Sequence, residues 1–177
     1  MKKQEPTVHT INMTVLDDGD FLSPYSETST PVISSGVAEF IENCANASKL
    51  HDSFELTVHS DCIDADKQAK YDNAIRNYFN LKLNAEHREL HRNNVISLVF
   101  AIVGILGLAF MIICDQVLDF KEIWVEVIDI FAWVFLWEAV DQFFIERRKL
   151  LLNKRRLKNF TEMPIRFQPL TNREKQQ

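Results

Sequence analysis

The sequence predicts a small α+β cytosolic head followed by a two-helix transmembrane hairpin, in a chain that is predominantly helical. Three observations lead there. First, Val95 to Cys114, VISLVFAIVGILGLAFMIIC, holds no charge and no proline, and Ser97 is its one strongly polar side chain. At about 1.5 Å per residue this run makes a helix ~30 Å long, the thickness of a bilayer's hydrocarbon core. Second, the residues before it alternate between strand-like and helix-like apolar spacing. Third, basic residues crowd the outer ends of two apolar stretches and are scarce between them.

Val8 to Leu16 alternates, with His9, Ile11, Met13 and Val15 on one face and Thr10, Asn12 and Thr14 on the other, which predicts a half-buried strand. Asp17 to Pro31 collects turn formers without periodicity and reads as a loop. Ser34 or Ser35 is placed to cap a helix through Ser48, with Val37, Phe40, Ile41 and Cys44 as its apolar face. Phe54 to His59 alternates again. Asp61 to Asp66 puts acids at the start of the next helix, where the dipole favours them. Ala69, Tyr71, Ala74, Ile75, Tyr78 and Phe79 give that helix its apolar face, and Leu81-Lys82-Leu83 disturbs the period. It is expected to run on through Asn94 into the first span, so the head comprises residues 1–94 and the first span 95–114.

Residues 115–122 form a short acidic turn, and 123–145, IWVEVIDIFAWVFLWEAVDQFFI, the second span. The remainder, 146–177, reads as a basic cytosolic helix, then a short strand at Met163 to Phe167 that Pro164 confines to a sheet edge, then a tail.

Charge sets the expected topology. The net charge of −5 conceals a split: residues 1–94 hold nine Lys/Arg and fifteen Asp/Glu, whereas 147–177 hold ten Lys/Arg and two Asp/Glu. Arg88 and Arg92, with His87 and His91, flank the first span. Arg147, Arg148, Lys149, Lys154, Arg155, Arg156 and Lys158 follow the second, and the turn between offers Lys121 alone. The positive-inside bias puts both termini in the cytoplasm. MKKQEPTVHT has lysines but no apolar run behind them, so no cleavable signal peptide is expected. Cys44, Cys62 and Cys114 have no CxxC spacing and read as reduced thiols.

The acids of the second span are the sharpest functional signal. On a helical wheel Glu126, Asp129, Glu138 and Asp141 share one half with Trp133 and Trp137; Ile128, Phe131, Ala132, Phe135 and Ala139 occupy the other. An ionised acid at the bilayer centre costs about 2.5–3.5 kcal/mol even on the lenient insertion scale. The first span offers no basic partner. The acidic half is therefore expected to face other copies of the chain or an aqueous lumen. The milder alternative sets Glu126 and Asp129 at the outer interface and Glu138 and Asp141 at the inner one, paired with Arg92 or Arg148. Gly104 and Gly107 thin one side of the first span and supply a helix-packing surface, spaced GxxG rather than GxxxG.

The basic run fits anchoring to anionic lipid, at about 1 kcal/mol per charge, or topology determination. It fits a nucleic-acid surface poorly, because only Phe160 is interleaved with it, and direct nucleic-acid binding is not expected. His87 and His91 share a helical face, but zinc would need two more ligands. No phosphate loop, nucleophile elbow or Cys-His motif occurs, so neither an enzyme nor a cofactor or metal is expected.

IFAWVFLWEAVDQFFIERRKLLLNKRRL, residues 130–157, with its Trp-Glu-Ala step in the span and its ERRKL exit, resembles small two-span bacterial membrane proteins. In size and layout the chain is similar to the membrane accessory protein of type VI-B CRISPR systems. That resemblance implies a pore former that works beside an RNA-guided RNase and disturbs the inner membrane during phage infection. The HEPN-type Arg-to-His RNase motif proposed for that family is absent in its standard form, since Arg88 and His91 stand too close together; this argues against a nuclease role. The expectation is thus a homo-oligomeric inner-membrane pore or channel whose partners are the bilayer and itself. The competing expectation is a non-conducting scaffold whose head docks a soluble partner.

Overall fold

Strand β1 spans Val8–Thr14, helix α1 Ser35–Asn46, strand β2 Ser53–His59 and helix α2 Ala65–Gln116. Helix α3 follows at Glu122–Asp141 and passes through a π-helical turn, Gln142–Glu146, into helix α4, Arg147–Glu162; strand β3, Ile165–Gln168, closes the order. This computed structural model describes residues 8–46, 53–116 and 122–170. The fold is mostly helical, with one small sheet and one long apolar helix.

The alternation in β1 is realised: Ile11, Met13 and Val15 are buried while Thr10, Asn12 and Thr14 are exposed. The sheet has the order β1-β2-β3 with both pairs parallel, Val8 opposite Ser53 and Leu56 opposite Ile165. Parallel neighbours need a crossover rather than a tight turn. The chain between β1 and β2 holds α1; that between β2 and β3 holds α2, α3 and α4. As the central strand, β2 buries Phe54, Leu56 and Val58 and also Thr57. The edge strand expected at Met163 to Phe167 is found two residues later at its start and one later at its end, as β3, and just before it Leu56 N–H donates to the Pro164 carbonyl at 2.9 Å, a group a proline still offers though it has no N–H to donate.

Residues 8–46, 53–84 and 155–170 belong to one compact unit, and 85–116 and 122–154 to a second. The first unit has the aromatic core. Phe160 is 1% exposed and stacks on Phe54 at 5.3 Å and on Phe79 at 4.8 Å between ring centroids. Leu157 and Met163 are buried with it. The head therefore does not run simply over residues 1–94: it closes earlier on α2 and takes back the end of α4, because that end carries apolar groups the sheet needs to cover its face. On α1 the buried stripe is Ala38, Ile41 and Ala45, so Phe40, expected on the apolar face, is 42% exposed.

Helix α2 is continuous through Leu81-Lys82-Leu83. Among the described residues it is the one helix long and apolar enough to cross a membrane, and its most apolar stretch is 11% buried, unlike the core helix of a soluble domain. Of the two spans expected, this shows one. Every 18-residue stretch of α3 contains at least Glu126, Asp129 and Glu138, too many charges to pass by length and composition. Nor is 123–145 a single α-helix, since its last residues form the π turn. Of the expected outer turn, residues 117–121 lie outside the described residues, as does the tail from 171.

Candidate functional site

The second unit is built on the seam between α2 and α3. Its α2 side is a line of mostly small or polar residues three and four apart: Asn93, Ser97, the larger Phe100, Gly104 and Gly107. The Ser97 hydroxyl donates to the Ala139 carbonyl at 3.0 Å, and the Asn93 amide donates to the Gln142 carbonyl at 2.8 Å. Phe100 meets Phe135 at 5.8 Å between centroids. A Cβ added at Gly104 would lie 2.7 Å from Leu136 Cγ, and one at Gly107 3.0 Å from Ala132 Cβ. Rising numbers on α2 meet falling numbers on α3, so the helices run antiparallel. The glycines thus serve packing within the chain. Backbone approach at small residues, with hydroxyl and amide bonds across it, is how helices pair where water cannot drive them together.

The seam uses the half of α3 that holds Ala132, Phe135, Leu136 and Ala139. The half expected to carry function faces elsewhere. Glu126 is exposed, Asp129, Glu138 and Asp141 are half-buried, and Trp133 and Trp137 are 58% and 71% exposed. Among the described residues none of the four acids forms an ion pair. Glu138 accepts a hydrogen bond at 3.0 Å from Nε2 of Gln142, the first residue of the π turn. The basic partners expected for the inner acids do not meet them: Arg92 pairs with Glu89 at 2.6 Å, and Arg148 is exposed.

The basic run is not one uniform surface. Lys149 pairs with Glu146 at 2.6 Å, and that carboxylate, chiefly through the hydrogen bond, pushes the ammonium above its usual value. Lys158 reaches Glu162 at 3.6 Å. Arg156 lies over the Phe160 ring and donates to the Glu42 carbonyl at 3.4 Å. Arg147, Arg148, Lys154 and Arg155 make no described ion pair, and Arg147 lies 4.9 Å from the centre of the Phe143 ring. Phe160, the one aromatic able to stack on a base, is enclosed in the head.

The first unit holds a polar clasp outside the expected site. Asp18 accepts hydrogen bonds from Lys67 Nζ at 2.8 Å and from the Tyr71 hydroxyl at 2.7 Å. Tyr71 stacks on Phe21 at 4.7 Å. The bond from Lys67, then that from Tyr71, hold the Asp18 carboxyl below its usual range. Burial, then the bond to Asp18, push the Tyr71 phenol up. This ties the loop after β1 to the start of α2.

Asn93 and Gln142 were missed as seam residues. The 4-3-4-3 spacing of Asn93, Ser97, Phe100, Gly104 and Gly107 was the signal available for the α2 side. Comparison with protein-family models, with curated proteins and with solved structures finds no match to this chain.

Proposed function

We propose that the chain is a membrane-embedded subunit of a homo-oligomeric pore, in which α3 accompanies α2 through the bilayer and turns its acids and tryptophans toward neighbouring copies and an aqueous lumen. The observation that carries this is the direction of that face: α2 takes the opposite side of α3, the four carboxylates form no ion pair among the described residues, and Trp133 and Trp137 are exposed.

The seam's register adds depth to the argument. The middle of Val95–Cys114 falls level with about residue 133 of α3. At 1.5 Å per residue, Asp129 and Glu138 then lie ~6 and ~8 Å from the midplane, and Glu126 and Asp141 ~10 and ~12 Å. All four fall within half of a ~30 Å hydrocarbon core. Interfacial acids would need more distance. Acids at such depths need water or protein beside them, and one helix pair supplies neither on that side. The resemblance to the CRISPR accessory family extends the proposal: membrane depolarisation would be the output of a defence response, gated through the cytosolic head.

A second reading keeps the head as a docking module on a non-conducting anchor. A groove of about 540 Å³ beside β1 and α1, lined in part by Leu16, Phe21 and Phe40, favours it. One pair of measurements separates the two. A pore predicts ion flux across vesicles holding purified full-length protein, lost in Asp129→Leu/Glu138→Leu, and a detergent-solubilised particle of several copies. No flux from a monomeric or dimeric particle removes the pore and leaves the anchor.

A further inference from the structure

The seam opens at one end into a groove of about 670 Å³ that shares Trp133 with the acidic half of α3. Leu98 and Ala101 on α2 and Leu136, Val140 and Phe144 on the other side make its walls apolar, while Asn94 and Arg147 line it at the end where the chain leaves the apolar stretches. Among the described residues no carboxylate lines it. Its volume is within the ~300–1,000 Å³ common for small-molecule sites.

We propose that this groove holds one anionic phospholipid, its acyl chain along the apolar walls and its phosphate on the Arg147 guanidinium. The polarity gradient carries the assignment. Asn94 directly precedes the apolar run, and Arg147 directly follows the π turn, so the polar mouth sits where the apolar stretch begins. From Arg147 back to Trp133, also on the lining, the helix covers about 20 Å, enough for an acyl chain that spans half of a ~30 Å core.

Arg147 is prepared for the headgroup. Its guanidinium rests against the Phe143 ring, and no described carboxylate neutralises it, because nearby Glu146 is taken by Lys149. The planar fork fits a phosphate's paired oxygens. A zwitterionic lipid would fill the groove equally well but brings its own cation to the same mouth, which weakens the pairing. This site rests on the membrane placement of α2 and not on the existence of a lumen.

The experiment is native mass spectrometry of delipidated full-length protein titrated with phosphatidylglycerol or phosphatidylcholine, beside flotation of the same protein with vesicles of each lipid. Wild type is expected to retain phosphatidylglycerol about tenfold better than phosphatidylcholine, as a charge-assisted fork allows. Arg147→Gln should erase that preference, Arg148→Gln should keep it, and Ala101→Phe should reduce binding of both lipids. Equal retention of the two lipids by wild type, or equal losses from Arg147→Gln and Arg148→Gln, would overturn the site in favour of diffuse surface attraction. A change in subunit number rather than in bound lipid on filling the groove would assign it to a second copy and equally overturn it. Protein that fails to float with either vesicle loses the membrane placement and this site together; protein that floats without lipid preference loses the site alone.

Discussion

Gly104 and Leu136 lie in such close contact that a single methyl at position 104 would sit 2.7 Å from the leucine Cγ. The leucine side chain could swing away, but the Leu136 backbone nitrogen also lies 3.1 Å from the same point and must give as well. Gly104→Val should therefore force α2 and α3 apart and cost about 1–3 kcal/mol, the usual range for overpacking. Ser97→Ala, which deletes one bond across the same seam, should cost only ~0.6 kcal/mol, the mean for such bonds in membrane helices. Gly36, with open space around it, is the control: it lies in the first turn of α1, so Gly36→Ala should not destabilise and should gain at most about 0.5 kcal/mol, the low end for a helix interior. Unfolding of the full chain in detergent micelles ranks the three.

Phe160 predicts a different response because it closes the head's core. Phe160→Ala should destabilise the first unit by about 3–5 kcal/mol, and Phe160→Leu by clearly less. The loss should appear as faster proteolysis between α4 and β3, with the seam bonds around Ser97 and Asn93 unaffected. If Phe160→Ala leaves protease resistance unchanged, the α4 end is not part of the core.

The Asp18 clasp gives the head a pH dependence with a definite sign. A carboxyl held low adds stability that is complete above its unfolded value, near 3.8, and is lost as pH falls through the lower folded value. Lys67 and Tyr71 are both pushed up, so their share is complete below the unfolded values of 10.5 and 10.0 and is lost as pH rises through the higher folded ones. The melting temperature should be flat from about pH 5 to about pH 9 and fall on either side. Asp18→Asn should lower the plateau, and its difference from wild type should close as the solution is acidified below pH 3.8. A difference that persists at lower pH would show that the asparagine disturbs packing instead.

How far the sequence could be read follows the range of the contacts involved. Local pattern places β1, α1, β2 and the long α2, because period-two and helical spacing are properties of consecutive residues. The sidedness of α3 is equally local: the wheel that groups Glu126 with Trp133 also leaves Ala132 and Ala139 for α2. What local pattern does not contain is long range. Phe160 looks like a stray aromatic in a basic run until Phe54 and Phe79 are brought to it by parallel pairing of β2 and β3. Arg156 looks like one more surface charge until the Phe160 ring lies beneath it. The π turn leaves no composition signature at Gln142–Glu146, and so the second stretch reads as one plain helix.

The last prediction tests the neighbours of the acidic face optically. Trp137 lies among the acids and is 71% exposed, so a lipid-facing surface and a lumen-facing one should quench it differently. A single-tryptophan protein that keeps Trp137, with Trp124 and Trp133 changed to Phe, should show weak quenching by lipids brominated in mid-chain and strong quenching by a small aqueous quencher such as acrylamide. The seam's register puts Trp137 about 6 Å from the level of the middle of Val95–Cys114, where water reaches only through a lumen or between subunits. Strong quenching of Trp137 by mid-chain bromine and none by acrylamide would place the face in lipid, and the chain would be an anchor without an opening.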